Sequence, residues 1–175
     1  LIILVNPDVK FLFAKPAHFF ALGFGSGLAP KAPGTFGTLV GLPLFWLISN
    51  YGLNLQLLII TALFLIGIYF CDATSKALGV SDHGSIVWDE IVAMMLVLTF
   101  APKNGAGWIV AFFLFRLFDI WKPFPIRQFD ATLKNGFGVM FDDLLAALYA
   151  IASTRLVFYL HLYWVSNGGT REIVG

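Results

Sequence analysis

The sequence predicts an all-α membrane protein: a polytopic helical bundle of about five spans, preceded by an N-terminal interfacial or re-entrant segment. Three observations predict it. Only 12% of the 175 residues are charged, against about 25% in a soluble domain. The hydrophobic fraction is 59% and the mean hydropathy +0.85, in long unbroken runs. Alternating, barrel-type strands are absent, and a backbone sunk in lipid must otherwise satisfy its hydrogen bonds within helices. Residues 1–164 are expected to form a single domain. The polar, Gly-rich stretch 165–175 is expected to be a disordered tail.

Each element has its own signal. The first apolar stretch is short and lacks a basic start followed by a small-residue cleavage site, so no cleavable signal peptide is expected. The run "PAHFFALGFGSGLAPKAPGTFG" is apolar but broken by Gly and Pro. Such backbone is tolerated at membrane depth only where protein packs on it or it lines a wet cavity. Candidate spans follow at 36–49, 53–71, 86–100, 106–120 and 139–164. A crossing needs about 20 apolar residues, a length that the second and fifth reach. The other three are shorter, so their polar ends are expected inside the slab or in the headgroup layer.

Alternating the sides places Lys10, Lys15, Lys31, Lys76, Arg116, Lys122, Arg127 and Lys134 on one side. The other side receives Lys103 and Arg171, with Arg155 near it. By the positive-inside rule the cation-rich side is cytoplasmic. Nearly all the acids fall on that side as well, and acids contribute little to topology, so their clustering needs another reason.

Asp89 and Glu90 lie one turn into the third span, Asp119 at the end of the fourth, Asp142 and Asp143 at the start of the fifth. Helix capping accounts for an acid in a first turn, but not for Asp119 at a C-terminus, where a local pair with Arg116 is the plain alternative. Ionisable groups in spans are expensive and functional by default. So many carboxylates repel one another unless a cation sits among them, and an oxygen-rich site suits Mg²⁺ or Mn²⁺ rather than zinc. Of the three histidines only His83 lies beside the acids.

"WKPFPIR" reads as a Pro-stiffened loop that holds Lys122 and Arg127 beside Asp119. The Gly-rich "GFGSGLAPKAPGTFGT" offers backbone N–H groups, the hydroxyls of Ser26, Thr35 and Thr38, and Lys31. It reads either as an anion cradle or as a packed turn. Together these features describe a cytosol-facing site for a divalent cation and a phosphate at the headgroup layer. A net charge of +1 gives no electrostatic case for a nucleic-acid partner. The lone Cys71 excludes an internal disulfide.

"GFGSGLAPKAPGTFGT", "DHGSIVWDEIV", "FRLFDIWKPFPI" and "GFGVMFDDLLAA" resemble the phosphatidylglycerophosphatase A family, in the same order and spacing over residues 16–160. The resemblance implies a multi-pass enzyme of the bacterial inner membrane, its active site facing the cytoplasm. Such an enzyme hydrolyses phosphatidylglycerophosphate to phosphatidylglycerol and phosphate with Mg²⁺, its partners being the phospholipid substrate and the bilayer. Carried over, Asp82, His83, Asp89, Glu90, Asp119, Asp142 and Asp143 are the catalytic candidates, the last five as metal ligands. Ser26, Lys31, Thr35, Arg116, Lys122 and Arg127 are the substrate-binding candidates, and Asp130 also matches. Asp82 or His83 is expected to handle protons, and Lys122, Arg127 or Lys31 to neutralise phosphate oxygens. The attacking group is left open between an activated water and an aspartate. The competing reading, a divalent-cation transporter or channel, also needs intramembrane acids, but it wants polar groups on both faces.

Overall fold

The computed structural model describes residues 6–167, and all its regular elements there are helical. In order they are α1 (Val9–Ala14), α2 (Pro16–Ala21), a 3-10 segment (Gly23–Leu28), α3 (Pro33–Ile48), α4 (Leu53–Leu78), α5 (Trp88–Phe100), α6 (Gly105–Trp121), α7 (Ile126–Thr132) and α8 (Gly136–Ser166). Two of them, α4 and α8, are long and apolar enough to cross a membrane, by length and composition. The tail expectation falls mostly outside the described residues, although Val165 and Ser166 still belong to α8.

The shortest of the five main helices is the central one. From Trp88 to Leu98, α5 buries nine of its residues, because α3, α4, α6 and α8 all pack on it. A helix apolar all round is stable only when enclosed in this way. The outer helices instead turn large apolar side chains outward: Trp46 on α3, Leu58 and Tyr69 on α4, Phe113 on α6, Tyr159 on α8.

Close approach of α3 to α5 depends on missing side chains. A Cβ on Gly37 would stand 2.6 Å from that of Val87, and one on Gly41 would stand 2.9 Å from the Ile91 carbonyl oxygen. Small residues at this spacing let two helix backbones meet without a polar bond between them.

The register between helices sets the depth of the site. The Trp88 indole Nε1 donates to the Leu63 carbonyl at 3.1 Å, and Gly67 leaves room for both that ring and Met140. The first turn of α5 and the second turn of α8 therefore stand level with Leu63–Gly67. At 1.5 Å per residue, Leu63 is roughly 15 Å from one end of α4 and 22 Å from the other. The acids thus lie at mid-height of α4.

Three local departures have plain causes. The helix α4 runs on to Leu78, past the apolar limit at 71, because the Asp72–Lys76 pair at 2.6 Å bridges one turn and Gly79 supplies a left-handed stop. The segment after Pro125, expected to be loop, forms α7, since "IRQFDAT" contains no breaker. The N-cap of α8 is Asn135, whose side chain accepts from Gly138 N at 2.9 Å. Asp142 and Asp143 are therefore well inside the helix and are not its caps.

Replacing Gly37 by Leu should overpack the α3–α5 seam and lower stability by roughly 1–3 kcal/mol. Thermal unfolding of the purified variant in detergent checks this. An unchanged midpoint would mean that the seam has slack to absorb a side chain.

Candidate active site

At mid-height the helices part around a cavity of about 370 Å³. Six carboxyl side chains line it: Asp82, Asp89, Glu90, Asp119, Asp142 and Asp143. So do two cations, Arg116 and Lys122, and the backbone around Ala32–Gly34 and Gly84. The acids come from α5, α6, α8 and the loop before α5, as their depth in the sequence suggested.

They are not equivalent. Asp89, Glu90 and Asp143 each offer an oxygen within 4.8 Å of the other two. In each of the three, one buried carboxylate oxygen has no hydrogen-bond partner. Asp119 is instead bonded by the Arg116 guanidinium, one turn back on α6, which is the local pair that their spacing in the sequence allows. Arg116 also stands 3.8 Å from Glu90 and donates to the Thr38 hydroxyl at 3.3 Å, while Thr38 in turn donates to the Gly34 carbonyl at 2.8 Å.

Asp142 is held by Lys122 at 2.5 Å, with Asp130 on the same ammonium at 3.3 Å. The sequence suggested Asp119 as the neighbour of Lys122; the turn after α6 directs it to α8. Burial works against charge on Lys122, but Asp142, then Asp130 and Asp143, hold its ammonium above the ordinary lysine range. It stays a cation throughout the neutral range.

Two wall residues adopt the left-handed conformation without being glycine: Ala32 at φ 48° and Lys122 at φ 45°. Such backbone costs about 1–2 kcal/mol per residue and gathers where a site needs a particular direction. For Lys122 the outcome is an ammonium turned across to α8.

The other candidates lie off this wall. His83 accepts from Ser85 N at 3.2 Å within its own loop. Ser26 donates to the Gly23 carbonyl at 2.8 Å, closing the 3-10 segment. Lys31 is exposed, and neither it nor Thr35 lines the cavity. Arg127 lines a neighbouring cavity. The Gly-rich run is a packed turn: a Cβ on Gly27 would overlap the Ser85 carbonyl. Sequence reasoning missed Gly34, where a Cβ would collide with the Glu90 carboxylate and reach 3.2 Å from the guanidinium of Arg116. Its signal was one Gly among several in "APGTFG". A smaller apolar cavity of about 210 Å³, between α4, α5 and α8, meets the site only at Asp89.

Buried carboxylates with unsatisfied oxygens, set among apolar helices and faced by a guanidinium and an ammonium, make an oxygen-donor cavity of the kind a polar active site needs. The profile of the phosphatidylglycerophosphatase A family matches residues 19–158. A Haemophilus influenzae phosphatidylglycerophosphatase A is 49% identical over 162 residues, covering 91% of this chain and 97% of the relative. One from Escherichia coli K12 is 41% identical over 152 residues, covering 86% and 87%. A Bacteroides thetaiotaomicron relative, 36% identical over 137 residues (73% and 84%), carries a provisional name as a phosphatidylinositol-3-phosphatase. No solved structure matches the chain. The chain belongs to the phosphatidylglycerophosphatase A family, and it is a phosphatase.

Gly34→Ala adds one methyl, whose nearest neighbours are Glu90 and Arg116. Displacing catalytic groups by about 1 Å costs on the order of a hundredfold in rate. Phosphatase activity should fall by about that factor while the circular dichroism spectrum stays that of the parent. Wild-type turnover in this variant would show that α3 yields without moving Glu90.

Proposed function

We propose that this chain is a Mg²⁺-dependent lipid phosphatase of the bacterial inner membrane. It removes the terminal phosphate of phosphatidylglycerophosphate, leaving phosphatidylglycerol and inorganic phosphate. The observation that carries this reading is the buried Asp89–Glu90–Asp143 triad, with its unpartnered oxygens, in one cavity with Arg116 and Lys122. The names of the Haemophilus influenzae and Escherichia coli relatives support the choice of lipid.

The donor set fits a hard divalent cation. Three close carboxylates that find no hydrogen-bond donor repel one another, and oxygen ligands are what Mg²⁺ takes. Asp89, Glu90 and Asp143 would hold it. Bound there, it supplies electrophilic polarisation of the phosphoryl group and acidification of water. Asp119 and Asp142, expected from the sequence as ligands, instead fix Arg116 and Lys122 at the cavity wall. From there the two cations neutralise the non-bridging oxygens as charge builds on them. Asp82, exposed at the rim, is placed to pass protons to water.

Five crossings, by α3, α4, α5, α6 and α8, are supported by the apolar side chains that the outer four turn outward. Orientation follows from the cation asymmetry and puts the mouth of the cavity on the cytoplasmic side. The transporter reading has no support. Below the acids α5 presents Met94, Met95 and Leu98, all buried and apolar. The helix ends beyond are tied by Lys103, which donates to the Ser49 carbonyl at 2.9 Å.

Purified protein given phosphatidylglycerophosphate should release inorganic phosphate with Mg²⁺ and stop when the ion is chelated. Asp89→Asn, Glu90→Gln and Asp143→Asn should each lose most of that activity while still inserting. No release from this lipid sinks the substrate assignment. Release that ignores Mg²⁺, or survives all three substitutions, sinks the metal assignment alone.

Orientation has its own check. Lys76→Cys and Lys134→Cys carry exposed thiols on the predicted inner side, while Cys71 is buried. In intact cells both should react only with a membrane-permeant reagent. Modification by an impermeant one overturns the topology.

A further inference from the structure

Beside the acid-lined cavity lies another of opposite character. It has a volume of about 470 Å³, at the corner between α6 and α7, and is lined by Trp121, Lys122, Pro123, Phe124, Arg127 and Gln128. None of these six is an acid, and Lys122, Arg127 and Gln128 bring N–H donors on flexible side chains. Lys122 belongs to the walls of both cavities, so the two meet at this residue. The cations on the acid-lined wall, Arg116 and Lys122, are tied to carboxylates. Arg127 is exposed and, among the described residues, in no ion pair.

The corner is also held at a fixed place. Pro123 and Pro125 limit its backbone, and the Tyr149 hydroxyl of α8 donates to the Phe124 carbonyl at 2.9 Å. Trp121 and Phe124 stand 67% and 73% exposed at the end of an apolar helix. Aromatic rings in that position mark the boundary between hydrocarbon and water.

A lipid of the class proposed above has two phosphates, one glycerol unit apart. The terminal one is a monoester. The inner one is a diester with a single charge, and it lies where headgroup meets hydrocarbon. A monoester suits the cation-dependent cavity. A diester needs donors and no metal, and arginine is the side chain whose fork matches its two free oxygens.

We propose that the α6–α7 corner is a second anion subsite, for the lipid's phosphodiester, and that Arg127 is its specificity-determining residue. The proposal rests on the phosphatase reading above. On this proposal the cavity favours a lipid with two phosphates over one whose only phosphate is a monoester. Lys122, on the shared wall, is the spacer between the two anions.

Two soluble probes separate the subsites: glycerol 3-phosphate, a monoester alone, and glycerophosphoglycerol, a diester alone. Each is used to inhibit phosphate release from phosphatidylglycerophosphate by the purified full chain. Wild type should be inhibited by both. Arg127→Met should weaken inhibition by the diester about tenfold, as expected for loss of a charge-assisted pair, and raise the KM for the lipid with little change in kcat. Inhibition by the monoester should be unchanged, and Arg127→Lys should recover part of the loss. The proposal is overturned if the diester does not inhibit wild type, if Arg127→Met leaves its inhibition intact, or if both probes weaken equally. A wild type that releases no phosphate from the lipid overturns the phosphatase reading itself, a distinguishable result.

Discussion

The guanidinium of Arg116 is the point at which three helices meet. It bonds Asp119 on its own helix, reaches Glu90 on α5 at 3.8 Å and donates to Thr38 on α3 at 3.3 Å. A charge this enclosed is tolerable only when its partners surround it, and loss of one partner leaves the others buried and unpaired. The requirement propagates outward. Thr38 must keep its hydroxyl, Gly34 must lack a side chain so that Glu90 can stand opposite, and α3 must lie close on α5, which the glycines below allow. The packing of the apolar seam and the electrostatics of the cavity are therefore one arrangement.

A similar logic holds on the other wall. Lys122 links the end of α6 to Asp142 on α8 and to Asp130 at the end of α7, where Lys134 also approaches at 3.8 Å. Each wall cation takes one acid of the cavity as its nearest anchor, Asp119 for Arg116 and Asp142 for Lys122. The triad of Asp89, Glu90 and Asp143 is left without a positive neighbour of its own, apart from the longer approach of Arg116 to Glu90. The pattern divides the buried carboxyl groups between those that hold the protein's own cations and those that, on the proposed reading, would hold one from solution.

Much of this was legible in the sequence. The runs at 36–49, 53–71, 86–100, 106–120 and 139–164 match α3, α4, α5, α6 and α8 closely, because uninterrupted hydropathy marks a helix core well. It marks ends poorly: α4 runs past its apolar limit at 71 to Leu78 on the strength of a charge pair and a glycine stop. The five acids stood out because each is costly in an apolar helix. Their division between anchors and triad was not legible, since it depends on which cation faces which acid across the bundle. Lys122 illustrates this. Its neighbour in sequence is Asp119, but a left-handed turn at its own backbone sends it to Asp142. The Gly-rich run stayed open between cradle and packed turn for a related reason, as a glycine that makes room for a carbonyl, as Gly27 does for Ser85, looks the same in sequence as one that makes room for a phosphate.

The mid-height position of the acids also bears on insulation. If the bundle spans the bilayer as proposed, the cavity carries water and charge down about half the thickness of the hydrocarbon. The other half has to serve as the whole barrier to protons and ions. What stands there is Phe45 of α3, Met94 and Leu98 of α5, and Ala147 and Ala150 of α8, all sealed from solvent. These side chains take no part in the chemistry. In that arrangement they would be the dielectric floor beneath a reaction vessel open on one side, and their tight fit would let a membrane hold a voltage above a pocket of water.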